Sequence, residues 1–237
     1  MQVFVADPAG QRAAAGLGLS GSAAAPKTGD YLMPVGINAG GNKLDAFLRR
    51  TIRWRVHLSP DGAVSTSARF ILANDGPASG LPRYIIGPYD SEFRAGQNEQ
   101  IATLYVAGGY GFTKATVDGR PTGAEAQADF GGLALTQQVG VQAKSTVILG
   151  YELSRPAAAE RLDDGRLRYR LLLRPQATVH PDQARIVVEA SSGWRVDQAA
   201  PGSRLAGRTA SWAGLFDREQ ELVRCSRNLI GLRCSSK

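Results

Sequence analysis

The sequence predicts a mainly β fold, an antiparallel β-sandwich of the immunoglobulin-like type, from three observations. From Phe47 onward, apolar and polar residues alternate with a period of two. Short runs of this kind recur along the rest of the chain, separated by turn residues such as Asp118-Gly119. No long segment with the helical period of about 3.6 residues interrupts them. Regular short strands with such breaks are typical of antiparallel sandwiches.

The first forty residues differ from this pattern and predict a strand-helix-strand segment, residues 1–40, which we expect to end a preceding domain. Gln2–Ala6 alternates weakly and predicts a strand. Asp7 and Pro8 are typical of an N-cap and a first helical turn, so a helix is expected to follow, as far as Leu17. Tyr31–Ile37 is apolar enough for a second strand.

The register of the first β-hairpin follows from the alternation. Even-numbered residues from 48 to 58 face one way, and the pattern resumes after Pro60-Asp61-Gly62. A three-residue loop with Gly62 in the left-handed conformation keeps the apolar residues on one face, whereas a four-residue loop splits that face. The predicted cross-strand pairs are Leu58 with Val64, Trp54 with Ala68, and Ile52 with Phe70.

The same register gathers basic side chains on the outward face of the hairpin. Arg53 is predicted to lie opposite Arg69, with Arg55 two residues further along the strand. Like charges placed opposite each other are mildly destabilising. A folded domain tolerates them, and they also mark a candidate contact with an anionic partner. We call Arg53, Arg55 and Arg69 the anionic-contact stripe.

The remaining runs predict two β units, a first β-sandwich over residues 41–155 and a second, smaller unit with a C-terminal tail over residues 156–237. The Ala-rich stretch Pro156–Arg161 is the predicted joint between them. The further predicted strands are Arg83–Ile86, Gln100–Ala107, Phe112–Val117, Ala126–Val141, Thr146–Leu153, Arg166–Leu173, Ala184–Ala190, Trp194–Asp197, Arg208–Trp212 and Glu219–Arg224.

The charge balance limits the classes of partner. A net charge of +7 is compatible with a nucleic acid, an anionic lipid or an anionic polymer, and equally with a solvated surface that has no partner. Arginines occur singly or in the one pair Arg49-Arg50, and dense basic runs are absent. Nucleic acid is therefore the least favoured partner.

The sequence shows neither a membrane span nor a signal peptide. No stretch approaches the roughly 18 apolar residues that a transmembrane helix needs. The first residues lack the basic region and the apolar core of a signal peptide. Either the chain is cytoplasmic, or its export signal lies on a part that is absent from this sequence.

No motif has the spacing of an active site, so we expect no catalytic residues, no cofactor and no metal site. Gly16-Leu17-Gly18-Leu19-Ser20-Gly21 matches the dinucleotide fingerprint, but it closes a helix where the binding mechanism needs it to open one. A serine nucleophile needs a base, and His57 and His180, the two histidines, are better explained as surface or cap residues. Asp163-Asp164-Gly165 is typical of a plain turn.

Two further groups of residues leave alternatives open. Cys225 and Cys234 lie nine positions apart, and they form either a disulfide in an oxidising compartment or two free thiols in a terminal tail. Six aromatic residues near glycine-rich loops either line a sugar-binding surface or pack beneath the loops. They are Tyr84, Tyr89, Phe93, Tyr105, Tyr110 and Phe112.

Several short motifs follow one another in a fixed order. Asn42-Lys43-Leu44-Asp45 leads into the first hairpin, and Asn74-Asp75-Gly76-Pro77 and Gly80-Leu81-Pro82-Arg83-Tyr84 come after it. Leu104-Tyr105-Val106 then precedes a glycine-rich turn. In this order the chain resembles, over nearly its whole length, the C-terminal region of domain-of-unknown-function family 4012. Members are bacterial cell-envelope proteins with an N-terminal membrane helix and a middle portion weakly similar to the LytR–CpsA–Psr glycopolymer transferases.

The resemblance implies an extracytoplasmic location in the cell envelope. It leads us to expect a non-catalytic β-sandwich module with a structural, glycan-binding or protein-binding role. The alternative is an accessory domain of a cell-wall glycopolymer transferase whose catalytic part is absent here. The expected partner is a cell-wall glycopolymer or another envelope protein, and membrane contact would be made only through the absent N-terminal helix.

Overall fold

The computed structural model describes residues 3–17, 23–217 and 219–228. Two short α-helices, α1 Pro8–Gly16 and α2 Arg83–Ile86, accompany strands that make up most of the described chain. The strands are β1 Asp30–Asn38, β2 Leu48–Leu58, β3 Val64–Asn74, β4 Asn98–Ala107, β5 Gly111–Val117, β6 Arg120–Thr122, β7 Glu125–Asp129, β8 Gly132–Val141, β9 Ser145–Arg155, β10 Glu160–Arg161, β11 Leu167–Leu173, β12 Asp182–Ala190, β13 Trp194–Ala199, β14 Arg204–Ala206, β15 Thr209–Phe216 and β16 Gln220–Asn228.

The strands form two sheets, each of eight strands. Sheet A has the order β13-β16-β11-β1-β4-β8-β7, with β10 paired to β11. Sheet B has the order β14-β15-β12-β2-β3-β9-β5-β6. The mainly β prediction is confirmed, but both sheets are mixed and not purely antiparallel, because β1 pairs with β11, and β2 with β12, in parallel. Alternation shows which face of a strand is buried, and it carries no information on the direction of a distant partner.

Strands on both sides of the predicted boundary at residue 155 share both sheets. In sheet A, β11 lies beside β1, and in sheet B, β12 lies beside β2. Side chains from both parts also pack in one apolar cluster, which includes Leu104, Leu171 and Ile186. The predicted boundary therefore does not separate two sheets or two cores.

The N-terminal segment is partly as predicted. Helix α1 is confirmed, with Asp7 Oδ2 accepting a hydrogen bond of 2.7 Å from Gly10 N and Pro8 in the first turn. The strand predicted over Gln2–Ala6 is wrong for its described residues, which are irregular. Strand β1 is confirmed, but it lies inside sheet A between β11 and β4. The segment thus supplies an interior strand of sheet A.

Two other predictions are corrected. Arg83–Ile86 is the short helix α2, in which only Ile86 is buried, so the run has no face on which a strand would pack. The single strand predicted over Ala126–Val141 is two strands, β7 and β8, joined by a tight turn at Phe130 and Gly131. Both turn residues have positive φ, which is usual for glycine and unusual for phenylalanine, so Gly131-Gly132 was the one turn signal there and the prediction did not use it.

The predicted register of the first hairpin is confirmed at every pair. Leu58 pairs with Val64, Trp54 with Ala68, Ile52 with Phe70, and Arg53 with Arg69. Ser59 N donates a 2.9 Å hydrogen bond to Ala63 O, which leaves the three-residue loop Pro60–Gly62, and Gly62 has φ +87°. The inward face of the hairpin packs in the core between the sheets. The largest fully buried side chains are Trp54, Tyr31, Tyr151, Tyr169, Phe70 and Phe216.

Candidate functional site

The residues of the anionic-contact stripe lie together on the outward face of sheet B, and a fourth arginine joins them. Arg185 of β12 is the register partner of Arg53, which is the register partner of Arg69. Neighbouring strands are about 4.8 Å apart, so three arginines stand side by side within about 10 Å of sheet. Arg55 stands beside them in the next row. We call Arg53, Arg55, Arg69 and Arg185 the arginine face.

All four side chains are exposed, and none of them forms an ion pair within the part of the chain that the structure describes. Together with Ser67 and Val187 they line a shallow depression of about 250 Å³. Val187 is only 8% exposed although it points outward, because larger side chains surround it.

A second depression, of about 360 Å³, adjoins the arginine face. It lies above Gly150, the register partner of Arg69 in β9, and Lys114 and Glu152 border it. Across β12, β2, β3, β9 and β5, the two rows that contain the arginine face carry five basic side chains and one carboxylate, that of Glu152. The potential over this part of sheet B is therefore positive.

Sequence reasoning missed Arg185. Its outward orientation was readable, because it alternates with Ala184 and Ile186 in a predicted strand. Its position next to Arg53 depends on the parallel pairing of β12 with β2, which joins residues 132 positions apart in the chain. No local pattern contains that pairing.

A polar cleft opens between the two sheets where β2 and β12 begin. It has a volume of about 420 Å³ and is lined by Gly36, Asp45, Leu48, Arg50, Gln100, Gln176, Ala177, Thr178 and Val179. We call this set of residues the polar cleft.

Arg50 forms one wall of the polar cleft and is 4% exposed. Its Nε and Nη2 donate hydrogen bonds of 2.7 Å each to the two carboxylate oxygens of Asp182, a bidentate ion pair. Its Nη1 donates to Gln176 Oε1 at 2.6 Å, and its guanidinium lies 5.6 Å from the centre of the Phe70 ring. Burial raises the pKa of the Asp182 carboxyl, and the hydrogen bonds and charge of Arg50 oppose that shift.

Gln176 ties the loop between β11 and β12 to both sheets. Its Oε1 also accepts from Gly36 N at 2.9 Å, and its Nε2 donates to Gly36 O at 3.0 Å. On the opposite wall, Gln100 Nε2 donates to Asp45 Oδ1 at 2.9 Å, and Asn98 Nδ2 donates to the same oxygen at 3.0 Å. Asp45 is exposed at the rim, while Gln100 and Asn98 are almost completely buried.

A third polar group lies inside the core. Asp30 is 1% exposed, and its Oδ2 accepts hydrogen bonds from the hydroxyls of Tyr110 at 2.6 Å and Tyr169 at 2.5 Å. Its Oδ1 accepts from Tyr31 N at 2.8 Å and lies 3.9 Å from Arg155 Nη1. Burial raises the pKa of the Asp30 carboxyl, against these hydrogen bonds and the charge of Arg155. Burial and the Asp30 carboxylate raise the pKa of both Tyr110 and Tyr169 well above the ordinary value.

Neither histidine lines the two depressions or the polar cleft. His57 Nε2 is 3.1 Å from Ser191 Oγ on the surface, and that hydroxyl also donates to Leu58 O. His180 Nε2 is 2.9 Å from Ala46 O. Ser191 was not singled out by the sequence, because β12 brings it to His57 from 134 positions away.

Asp163 and Asp164 are exposed in a turn that Gly165 closes with φ +78° and a hydrogen bond from its N to Leu162 O. The turn prediction is confirmed. Among the described residues no group of three His, Cys, Asp or Glu side chains gathers at one place.

Two predicted features fall at least partly outside the described residues. Helix α1 ends at Gly16, the first residue of the glycine motif, and residues 18–21 of that motif lie outside. The backbone of Cys225 pairs with Arg168 and Gln198 in β16, but Cys234 lies outside, so the disulfide stays a prediction. The six aromatic residues divide between the alternatives, since Tyr110 is buried while Tyr84 and Tyr89 are about half exposed.

None of the helices within the described residues is long and apolar enough to cross a membrane. No protein-family model matches the chain, and no curated protein is similar to it in sequence.

Solved structures resemble the fold. A candidate nutrient-binding protein from Legionella pneumophila matches with a TM-score of 0.50 at 12% identity, over 84% of this chain and 71% of that one. An M1 zinc metallopeptidase from Deinococcus radiodurans matches with a TM-score of 0.38 at 11% identity, over 76% of this chain and 42% of that one. Leukotriene A4 hydrolase from Saccharomyces cerevisiae matches with a TM-score of 0.43 at 7% identity, over 76% and 29%. The chain thus spans less than half of the last two proteins, and only the first likeness supports a shared fold.

Proposed function

We propose that this protein is a non-catalytic binding module of the bacterial cell envelope that contacts an anionic glycopolymer through the arginine face. The observation that carries the proposal is the row Arg185, Arg53 and Arg69, three cations in register on neighbouring strands, with Arg55 beside them. Within the described residues no carboxylate pairs with any of the four. Their mutual repulsion lowers the stability of the free protein. An anion bound across them removes that repulsion.

The shape of the arginine face favours a polymer over a small anion. Its depression is shallow and continues into the one above Gly150, so the positive surface extends over four neighbouring strands from β12 to β9. Guanidinium groups bind phosphate and carboxylate oxygens in a bidentate manner. A chain of repeated phosphates or carboxylates can meet several arginines at once, and each further contact adds to the affinity without new loss of translational freedom.

The proposed cell-envelope location and the proposed type of β-sandwich are supported by the sequence alone. An extracytoplasmic position comes from the resemblance to family 4012, and the immunoglobulin-like type of sandwich stays a prediction. The candidate role of the Legionella protein is nutrient binding, and its likeness in fold is compatible with a binding role for this chain. The alternative, an accessory domain of a glycopolymer transferase, uses the same arginine face and differs only in what the rest of the parent protein does.

Binding of polyglycerol-phosphate teichoic acid at several salt concentrations tests the proposal. We expect binding that weakens steeply with salt, because the contacts are between exposed charges. The variant Arg53→Gln/Arg55→Gln/Arg69→Gln should bind at least about tenfold more weakly, since each charge-assisted hydrogen bond is worth about 1.5–3 kcal/mol. Its salt dependence should also be flatter.

A matched control removes the same number of charges elsewhere. Arg12, Arg94 and Arg120 are exposed and have no ion pair among the described residues, and none lies in the two rows of sheet B that carry the arginine face. Their triple glutamine variant should keep nearly the full affinity. Equal weakening by both triple variants, or equal affinity for duplex DNA, would reduce the binding to nonspecific charge and refute the proposal.

A further inference from the structure

The polar cleft holds polar atoms that the fold does not use. Arg50 has five N–H groups, of which Asp182 and Gln176 accept three, so one N–H on Nη1 and one on Nη2 remain. Gln100 is 1% exposed, and its Oε1 accepts no hydrogen bond from the described part of the chain. The Oδ2 atom of Asp45 likewise has no partner there. The cleft therefore presents spare donors on one wall and spare acceptors on the other.

Gly36 leaves space between Gln100 on one wall of the polar cleft and Arg50 on the other. A Cβ atom at this position would lie 2.6 Å from Gln100 Oε1 and 3.1 Å from Arg50 Nη1. Gly36 has an ordinary extended conformation in β1, so its backbone does not require glycine. What the missing side chain provides is open space directly between a buried acceptor and a buried donor.

The charges of the polar cleft disfavour an anionic ligand. The positive charge of Arg50 is matched by the bidentate contact with Asp182, and Asp45 adds a negative charge at the rim. A ligand that suits the cleft must donate to carboxylate and amide oxygens and accept from a guanidinium. Hydroxyl groups do both, because each has one donor hydrogen and two acceptor lone pairs.

We propose that the polar cleft binds a neutral sugar unit, with hydroxyl groups between Arg50, Gln100 and Asp45. The cleft volume of about 420 Å³ lies within the range of about 300–1,000 Å³ of small-molecule sites. Leu48, Ala177 and Val179 supply an apolar side, and Val179 is 66% exposed there. The C–H face of a sugar ring packs on such a surface while its hydroxyls reach the polar walls. This site is separate from the arginine face, and the proposal does not depend on polyanion binding.

Titration of the ¹⁵N-labelled full chain with D-glucose, D-galactose, D-mannose and D-arabinose tests the site. At least one of them, at millimolar concentration, should shift the backbone amide of Gly36 and the side-chain amides of Gln100 and Gln176. Gly36→Ala should abolish these shifts, because its methyl group fills the space between the walls. Asp45→Asn, an exposed and isosteric change, should weaken binding about tenfold, since one charged acceptor is lost.

Gly123→Ala is the matched control. Gly123 has no positive φ, and a Cβ there meets nothing within 4 Å, so sugar binding should be unchanged. Absence of shifts with all four sugars would overturn the proposal. So would tighter binding of D-glucuronate, D-glucosamine or inorganic phosphate at the same amides, because the site would then select charge. If Gly36→Ala fails to fold, Asp45→Asn decides the question. Sugar binding that Asp45→Asn leaves unchanged would then refute the proposal.

Discussion

Arg49 and Arg50 are neighbours in β2, yet their side chains lie on opposite faces of sheet B. The ion pair of Arg49 with Asp75 is on the surface, with both side chains more than half exposed, whereas that of Arg50 with Asp182 is almost completely buried. Exposed pairs contribute about 0–1 kcal/mol to stability. In a buried pair, removal of one partner leaves an uncompensated charge in the core. The face of the strand on which an arginine lies thus decides how much its ion pair contributes to stability.

Arg50→Met should lower the free energy of unfolding by about 3–5 kcal/mol, because Asp182 would remain buried without its cation. The double variant Arg50→Met/Asp182→Leu should recover most of that loss, since neither charge is then buried alone. Arg49→Met is the control and should change stability by no more than about 1 kcal/mol. Urea denaturation measures all three. Equal effects of the two single variants would contradict the structure.

Asp30 makes the stability depend on pH in a defined direction. Burial raises the pKa of its carboxyl in the folded protein above the ordinary value of 3.8. A group whose pKa is raised on folding contributes stability below the unfolded pKa and loses that contribution as the pH rises through the folded value. As the pH rises above about 4, Asp30 ionises in the unfolded chain before it ionises in the folded protein. The stability that Asp30 contributes is therefore lost with increasing pH.

Asp30→Asn removes this titration and keeps the size of the side chain. The stability of the wild type relative to Asp30→Asn should be greatest at about pH 4 and should fall as the pH rises. Unfolding free energies measured from pH 4 to 8 give the difference. A difference for Asp30→Asn that grows with pH would show that the folded pKa is lowered.

Strands β2 and β3 form the element in which the structure follows local sequence most closely. Odd-numbered positions of β2 face solvent and even-numbered positions face the core, and the turn sets the register. Gly62 is required in that turn, because its φ is +87° and a Cβ would lie 2.8 Å from Ala159 O. Ala159 N in turn donates to Gly62 O at 3.0 Å. The predicted joint Pro156–Arg161 therefore packs against the first hairpin.

Trp54→Ala should lower the free energy of unfolding by about 3–5 kcal/mol, as truncation of a large buried aromatic side chain typically does. Trp54 is 1% exposed, and its ring lies edge-on to Tyr110 with the ring centres 6.2 Å apart. Replacement of Arg53, Arg55 and Arg69 by glutamine should leave stability unchanged or slightly improved, because it removes repulsion between exposed like charges. Thermal and urea unfolding compare the two. If the triple variant were destabilised while Trp54→Ala left the free energy of unfolding unchanged, the two faces of the hairpin would be reversed.

Over the whole molecule, two parallel pairings hold the early and late parts of the chain together. The pair β2 and β12 extends over eight residue positions, from Thr51 with Gln183 to Leu58 with Ala190. The pair β1 and β11 joins Asp30–Leu32 to Leu171–Leu173. Each pairing closes a long loop, so its strands gain stability only when the distant partner is present.

Residues 41–155 and 156–237, expressed as separate fragments, should therefore fail to fold. Each fragment exposes the inward faces of strands whose neighbours are on the other, for example Trp54 in β2 and Ile186 in β12. Near-ultraviolet circular dichroism and the dispersion of amide signals test this, with the full chain refolded under the same conditions as the control. A well-dispersed spectrum from residues 41–155 alone would support the division that the sequence predicts.

The sequence by itself determined the mainly β class, the helix cap at Asp7, the register of the first hairpin and the outward position of Arg53, Arg55 and Arg69. These features depend on contacts between residues close in the chain, where side-chain period and turn chemistry act directly. The turn at Phe130-Gly131 was missed although glycine is a typical turn residue, because phenylalanine rarely adopts the positive φ that it has there.

Only the tertiary structure decided which distant strands pair and in which direction. Parallel pairing places Arg185 beside Arg53, and the packing of β12 against β2 brings Asp182 to Arg50 from 132 positions away. The loop after β11 then brings Gln176 to Gly36. An inward arginine in an apolar alternation was the one local sign of the polar cleft. The partners of Arg50 could not be predicted from the sequence. Alternation within one strand shows whether a residue is buried, but the residues that surround it come from strands and loops that are distant in the chain.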